Sequence, residues 1–321
     1  MIARVADHCF WFGRYIERVD SMTRVLHVTL HLSLDTELSG RQCWQPVLVV
    51  SGEKPRFSAQ HGEEALGDGE QVQRYLALDT NTAVSIVSTI AAARDNARSI
   101  REVISLEVWE TINELYLWSQ SQVAQDEYAT NRYGFYRRIR HSIELCRGLL
   151  QSSLLHDDPL DFIELGIMLE RAGQTARIID VHHHVLTLDA PPIELVVETG
   201  IWLALLRSCS GWEPYMKRHH GSVSGPSVAA FLLLEPAFPR SVRHAVHAAR
   251  QRLQALCPPT IEHGRRALQR LVGLDAMLET RNRESISSEH DLATHVVSET
   301  AAICTEIGRE LFGHGGVEAS V

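Results

Sequence analysis

The feature that most constrains this chain is a stretch that occurs twice: residues 13–31 match residues 166–184 when Gly13 is set on Gly166. Glu17 then falls on Glu170, Arg18 on Arg171, Arg24 on Arg177, Val28 on Val181 and His31 on His184, six identities in nineteen positions. Ile16/Leu169, Val25/Ile178 and Leu26/Ile179 add aliphatic matches. A merely amphipathic helix has no reason to place Glu, Arg and His alike in both copies. Glu17, Arg24 and His31 stand seven residues apart, as do Glu170, Arg177 and His184. Seven residues is nearly two helical turns, so each copy carries a Glu–Arg–His stripe about 20 Å long on one helix face. The spacing predicts an all-α protein: an internally duplicated helical bundle, one domain over 1–321, with halves at about 1–156 and 157–316 related by a pseudo-two-fold axis.

The rest of the chain reads as helices and their breaks. Ile2 to about Asp35 has no proline and one glycine, and predicts one long helix. Residues 36–79 are punctuated by glycine and proline and predict a connection with short helical pieces. Thr82 to Gln125 is free of both but too long for one helix, so a break is expected near Arg94–Asn96. A polar segment, 120–131, precedes helices expected at Tyr133–His156 and about 160–188. Further helices are expected at Ile193 to about Lys217, Val228–Leu234, Arg240–Leu256, Thr260 to about Arg281 and Ile286–Phe312. A second match sets Arg98-Ser99-Ile100-Arg101 on Arg240-Ser241-Val242-Arg243, keeping two arginines in each half.

Composition excludes several classes. A net charge of −9 argues against a general polyanion binder, nucleic acid included, while local arginine clusters could still hold one phosphate or carboxylate. The six cysteines form no C-x-x-C and no short framework, which points to reduced thiols in a cytoplasm. The N-terminus carries charges where a signal peptide needs an apolar core, and the most apolar stretch, Ile193–Leu206, is too short and too acidic to span a bilayer. No membrane contact is expected. G-x-S-x-G, a P-loop, H-E-x-x-H and a G-x-G-x-x-G after a strand are all absent.

The stripes admit two readings. In one, Glu17/Arg24 and Glu170/Arg177, with Arg18 and Arg171, are interhelical ion pairs that set the register of the bundle. In the other, the guanidiniums of Arg14, Arg18, Arg24, Arg171 and Arg177 present forks to an anionic substrate. Glu17, His31, Glu170 and His184 would then be the catalytic acid–base candidates. Arg94, Arg98 and Arg101 share one helix face and, with Arg240 and Arg243, suggest an anion pocket or a docking surface. Trp109 and Trp118 read as packing anchors. His27/His31 and Asp180/His184 have metal-ligand spacing. However, the run His182–His184 points to three helix faces, and bundle di-metal sites usually draw Glu from further helices, so neither a metal nor a cofactor is expected.

Several of these segments resemble the alpha-E family, an all-helical bacterial domain named for an E-R motif. They are Arg4-Val5-Ala6, Trp11 through Arg18, Ala92 through Arg98, Leu106 through Glu110, Leu169 through Arg177, and Phe231–Leu234 leading to Phe238 through Arg243. The resemblance implies a helical companion of circularly permuted ATP-grasp ligases, often alongside transglutaminase-like proteins, in a system that makes or attaches an amide or peptide product. It carries no catalytic residue over to this chain. The family's second E-R helix commonly begins Gly-Arg, as Gly13-Arg14 does, whereas Ile167 follows Gly166 here. If that arginine serves a site, the two halves are not equivalent.

Overall fold

The computed structural model describes residues 1–35, 37–187, 195–219, 223–258, 263–281 and 289–313, and among them every regular element is a helix. The long helix α1 (Ala3–Asp35) leads into α2 (Gly40–Val50), α3 (Lys54–His61), a 3₁₀ turn and α4 (Gly69–Leu78). Then come α5 (Ile86–Ser99), α6 (Leu106–Ser119), α7 (Gln122–Thr130) and α8 (Arg132–Ser153). The second long helix is α9 (Asp158–Thr187), followed by α10 (Leu195–Ser208), α11 (Trp212–His219) and α12 (Gly225–Leu234). The chain then forms α13 (Val242–Leu256), α14 (Arg265–Thr280) and α15 (Glu289–Leu311).

Several expected boundaries move, each for a local reason. The break placed near Arg94–Asn96 falls at residues 100–105 instead. Asn96 stays helical because its amide donates to the Ala92 carbonyl, and Ser105 restarts the chain by accepting the Val108 N–H. The polar segment 120–131 is a helix, α7, capped by Ser121, and Asn131 in turn caps α8 by accepting the Gly134 N–H. The helix expected over 193–217 is split after Ser208. There the Gly211 N–H bonds the Leu206 carbonyl and the Ser210 N–H bonds Arg207, a Schellman closure that puts Ser210 in the left-handed region at φ 53°. The two R-S-(I/V)-R tetrapeptides do not share a place in the fold: Arg98-Ser99 ends α5, whereas Arg240-Ser241 precedes α13 with Ser241 as its N-cap.

α1 and α9 pack along each other through the centre of the molecule. Helices α5, α8, α10 and α2 close around α1, and α13, α15, α2 and α10 close around α9. The middle of α1 is buried on every side, polar residues included: Glu17, Asp20, Thr23 and Arg24 lie inside with Phe12, Ile16 and Val19. Two glycines set how close the pair can come. A Cβ on Gly13 would collide with the carbonyl of Ile163, and a Cβ on Gly166 with the carbonyl of Phe10. Neither obstacle is a side chain that could swing away. Gly13→Ala and Gly166→Ala should therefore each cost about 3 kcal/mol in urea unfolding. Gly148→Ala, on an exposed turn of α8 with nothing near the added carbon, should stabilise by about 0.5–1 kcal/mol.

Candidate functional site

The glycine crossing brings the motif residues of α1 and α9 face to face. Arg171 of α9 grips Glu17 of α1 with both arms of its fork, Nε at 2.9 Å and Nη2 at 2.7 Å. In the other direction Arg18 of α1 holds Glu170 of α9 at 2.8 and 3.1 Å, and Arg14 adds a bond of 2.8 Å to the same carboxylate. Gln174, one turn along, donates to Glu170 at 3.0 Å. Such bidentate, charge-assisted pairs are the strong form of the interaction. Their burial differs: Glu17 and Arg171 are 0% and 3% exposed, whereas Arg14 and Arg18 keep 17% and 24%.

Glu17 has two further cations, Arg240 at 3.2 Å and Arg147 of α8 at 3.3 Å. Asp20, three residues on and fully buried, takes Arg24 at 2.9 Å and a second arm of Arg240. Arg24 is the hub of the outer layer: beyond Asp20 it reaches the Ser210 hydroxyl and Glu144 of α8, the latter at 2.7 Å. The sequence reading named Arg24 and Arg240 but missed Asp20, Glu144, Arg140, Arg147 and Ser210. A signal for three of them was present: Arg140, Glu144 and Arg147 fall on one face of α8 at i, i+4 and i+7.

This geometry decides what the carboxylates can do. Burial alone would raise the Glu17 carboxyl, but Arg171, Arg147 and Arg240 outweigh it and hold the group well below the usual carboxylate range. Glu170 is treated the same way, burial being overcome by Arg18 and Arg14. Both stay ionised at neutral pH with their oxygens occupied, so neither is poised to trade a proton. His31 lies fourteen residues from Glu17 on the same helix, roughly 21 Å along its axis. It is exposed and meets His27 at 3.1 Å instead, so the proposed Glu17/His31 couple does not form. The side chains of His182–His184 lie outside the described residues. Arg177 is half-buried and donates to the Val50 carbonyl at 3.3 Å.

Of the remaining candidates, Arg94 and Arg101 flank the Trp109 ring at 5.6 and 4.9 Å, and Arg94 also lies 5.0 Å from Tyr116. Arg98 is 60% exposed, and Arg243 sits half-buried on α13. Arg94, Arg101, Trp109 and Tyr116 form a basic and aromatic surface, separate in its contacts from the buried pairs. Trp118 is buried, as expected of a packing anchor, while Trp109 is only partly so. A cavity of ≈ 30 Å³ lies between α1, α2, α9 and α10, lined by apolar groups such as Val25, Val47 and Ile178, and is about large enough for one water. His247, Asp275 and Glu279 bring ligand atoms within 4.8 Å of one another, but Arg250 already sits 2.6 Å from Asp275. All six cysteines are free, and burial pushes the Cys9 and Cys146 thiols up to about 12. Among the described residues no helix is long and apolar enough to cross a membrane.

Two expectations follow from the clasp. Glu17→Gln strands buried guanidiniums and should cost about 3–5 kcal/mol in denaturant unfolding, whereas Glu170→Gln should cost less because Arg14 and Arg18 can reach water. The second concerns pH. His27 is lowered to about 4, by burial first and then by His31, Arg140 and Arg24. Between its ordinary 6.5 and about 4 the unfolded chain therefore binds the extra proton and the folded chain does not. Below the ordinary carboxylate range Glu17 and Glu170 act in the same direction. Stability should be full above about pH 6.5 and fall steadily as pH drops, which thermal melts across a pH series would show.

Compared with known proteins, residues 1–312 match a family model, Alpha-E, described as a predicted alpha-helical domain with a conserved ER motif. No curated protein and no solved structure matches.

Proposed function

This chain belongs to the Alpha-E family, and from that premise we propose that it is a non-catalytic helical subunit of a cytoplasmic ATP-grasp amide or peptide ligase system. It binds the ligase, with a transglutaminase-like protein as a possible third member, and helps to hold an anionic or peptide substrate. One observation carries this reading: both glutamates of the E-R motif are occupied in buried Arg pairs that join α1 to α9. Residues spent on holding two helices together favour a scaffold over an enzyme. The surface available to a partner is the arginine face at the end of α5 and the turn before α6, where Arg94 and Arg101 stand beside Trp109, Arg94 also meets Tyr116, and Arg98 is exposed.

The chain is also read as two copies of one unit, halves at about 1–156 and 157–316, about a pseudo-two-fold axis. Supporting this, Gly13 meets the carbonyl of Ile163 as Gly166 meets that of Phe10, and Arg171 grips Glu17 as Arg18 grips Glu170. α4 and α12 are both ten residues long, and each begins at a glycine that makes room for a tryptophan, Trp44 or Trp202. Ser85 and Ser241 cap the helices that follow. This register sets Ala92-Ala93-Arg94 on Ala248-Ala249-Arg250 and replaces the R-S-(I/V)-R match.

Native mass spectrometry of the tagged protein, purified gently from its own host, tests the subunit reading. The expected result is a stoichiometric complex with an ATP-grasp protein. Arg98→Glu with Arg101→Glu should weaken that complex at least tenfold while leaving the melting temperature within a degree or two. A lone chain carrying a small bound metabolite would instead favour the rival reading, an enzyme acting on a carboxylate-bearing or peptide intermediate.

A further inference from the structure

α8 lies on the outer side of the Glu17–Arg171 pair, where Arg147 reaches Glu17. Here five guanidiniums, Arg24, Arg140, Arg147, Arg171 and Arg240, face three carboxylates, Glu17, Asp20 and Glu144. The excess is local, because the whole chain carries a net charge of −9. We infer that this rim binds an oxyanion, the carboxylate or phosphate end of a ligand arriving from solvent, with Arg140 and Arg147 as its recognition residues. The inference rests on the reading of the chain as a holder of an anionic substrate and names where that group is held.

Four observations support the site. Arg140 keeps 29% of its side chain exposed, yet its Nε is buried with no hydrogen-bond partner. Its nearest carboxylate, Glu144, is 3.7 Å away and already lies 2.7 Å from Arg24. A half-buried cation with an idle donor is costly unless something arrives to use it. Arg147 is the second, since it stands 3.3 Å from a carboxylate whose oxygens Arg171 and Arg240 already hold. Third, Ser210 occupies a left-handed position where glycine is the usual residue, and its hydroxyl takes a bond from Arg24. Strain of that kind gathers at sites that use it. Fourth, burial and then Arg24 depress Arg140, and burial together with Arg171 and Arg240 depresses Arg147 against the pull of Glu17. An incoming anion would relieve both groups.

The class of ligand follows from the donors. Guanidinium forks match planar carboxylates and tetrahedral phosphates in two-point contacts. An acidic chain with a small basic rim selects a single anionic group rather than a polyanion.

Isothermal titration calorimetry on the isolated protein at low salt tests this with inorganic phosphate, acetate and the uncharged acetamide. One or both anions should bind and the amide should not. Which anion binds identifies the source of the oxyanion. Arg140→Met should lower that affinity at least tenfold, with Arg140→Lys between the two. Without ligand, Arg140→Met should melt at the same or a higher temperature, because it removes a cation from a repulsive cluster. The site is overturned if neither anion binds the unmodified protein up to about 10 mM. It is equally overturned if Arg140→Met lowers the melting temperature by several degrees with anion affinity unchanged. Because these readouts need no partner, they are independent of whether the ATP-grasp complex forms. A chain that binds phosphate but no ligase would retain the site and lose the subunit reading.

Discussion

The buried exchange of Glu and Arg between α1 and α9 is the interaction on which the rest of the structure depends. It needs two things at once: backbones close enough for a carboxylate on one helix to meet a fork on the other, and solvent kept away. Gly13 and Gly166 supply the first by letting each helix rest against a carbonyl of its partner. The surrounding helices supply the second, and Glu17 is left with no exposure at all. Removing such charges from water costs several kcal/mol per ion, and only the bidentate geometry and the extra cations offset it. Pairs of this kind add little net stability but strongly penalise alternatives. Sliding α9 by one turn would leave the same charges buried and unpaired, so the pairs define one register for two long helices that apolar packing alone would hold less strictly.

Much of this was legible in the sequence. The long runs without an interior proline marked α1 and α9, and the repeated Glu17-Arg18 and Glu170-Arg171 marked the faces on which they meet. Where the reading failed, the physics was non-local or lay in a cap. Asn96 resembles a breaker but satisfies its side chain against Ala92 and His8, so α5 continues through it. Ser105 and Ser121 restart helices in stretches without proline or glycine, a signal easily passed over beside louder ones. His31 shares its stripe with Glu17, but a shared face does not shorten the distance along the helix. Arg140 and Arg147 could be seen as a face of α8, whereas nothing in the sequence reveals that this face closes over Glu17 and Asp20.

The clasp between α1 and α9 is unlike in charge on its two sides, and Ile167 is where they diverge. Arg14 serves Glu170, but its counterpart Ile167 is a fully buried aliphatic residue that can offer nothing to Glu17. Glu17 instead draws Arg147 from α8 and Arg240 from the turn before α13. Arg240 then needs a second acceptor, which is Asp20, while the matching position in α9 is Gly173. Three charged residues, Arg147, Arg240 and Asp20, thus gather around Glu17 where Glu170 has Arg14. The balance of charge on the Glu17 side lies toward α8, where Arg147 reaches Glu17 and the Nε of Arg140 has no hydrogen-bond partner. A symmetric clasp would be purely architectural. The asymmetry of this one leaves a face of α8 with a donor to spare, which is what the proposed oxyanion site draws on.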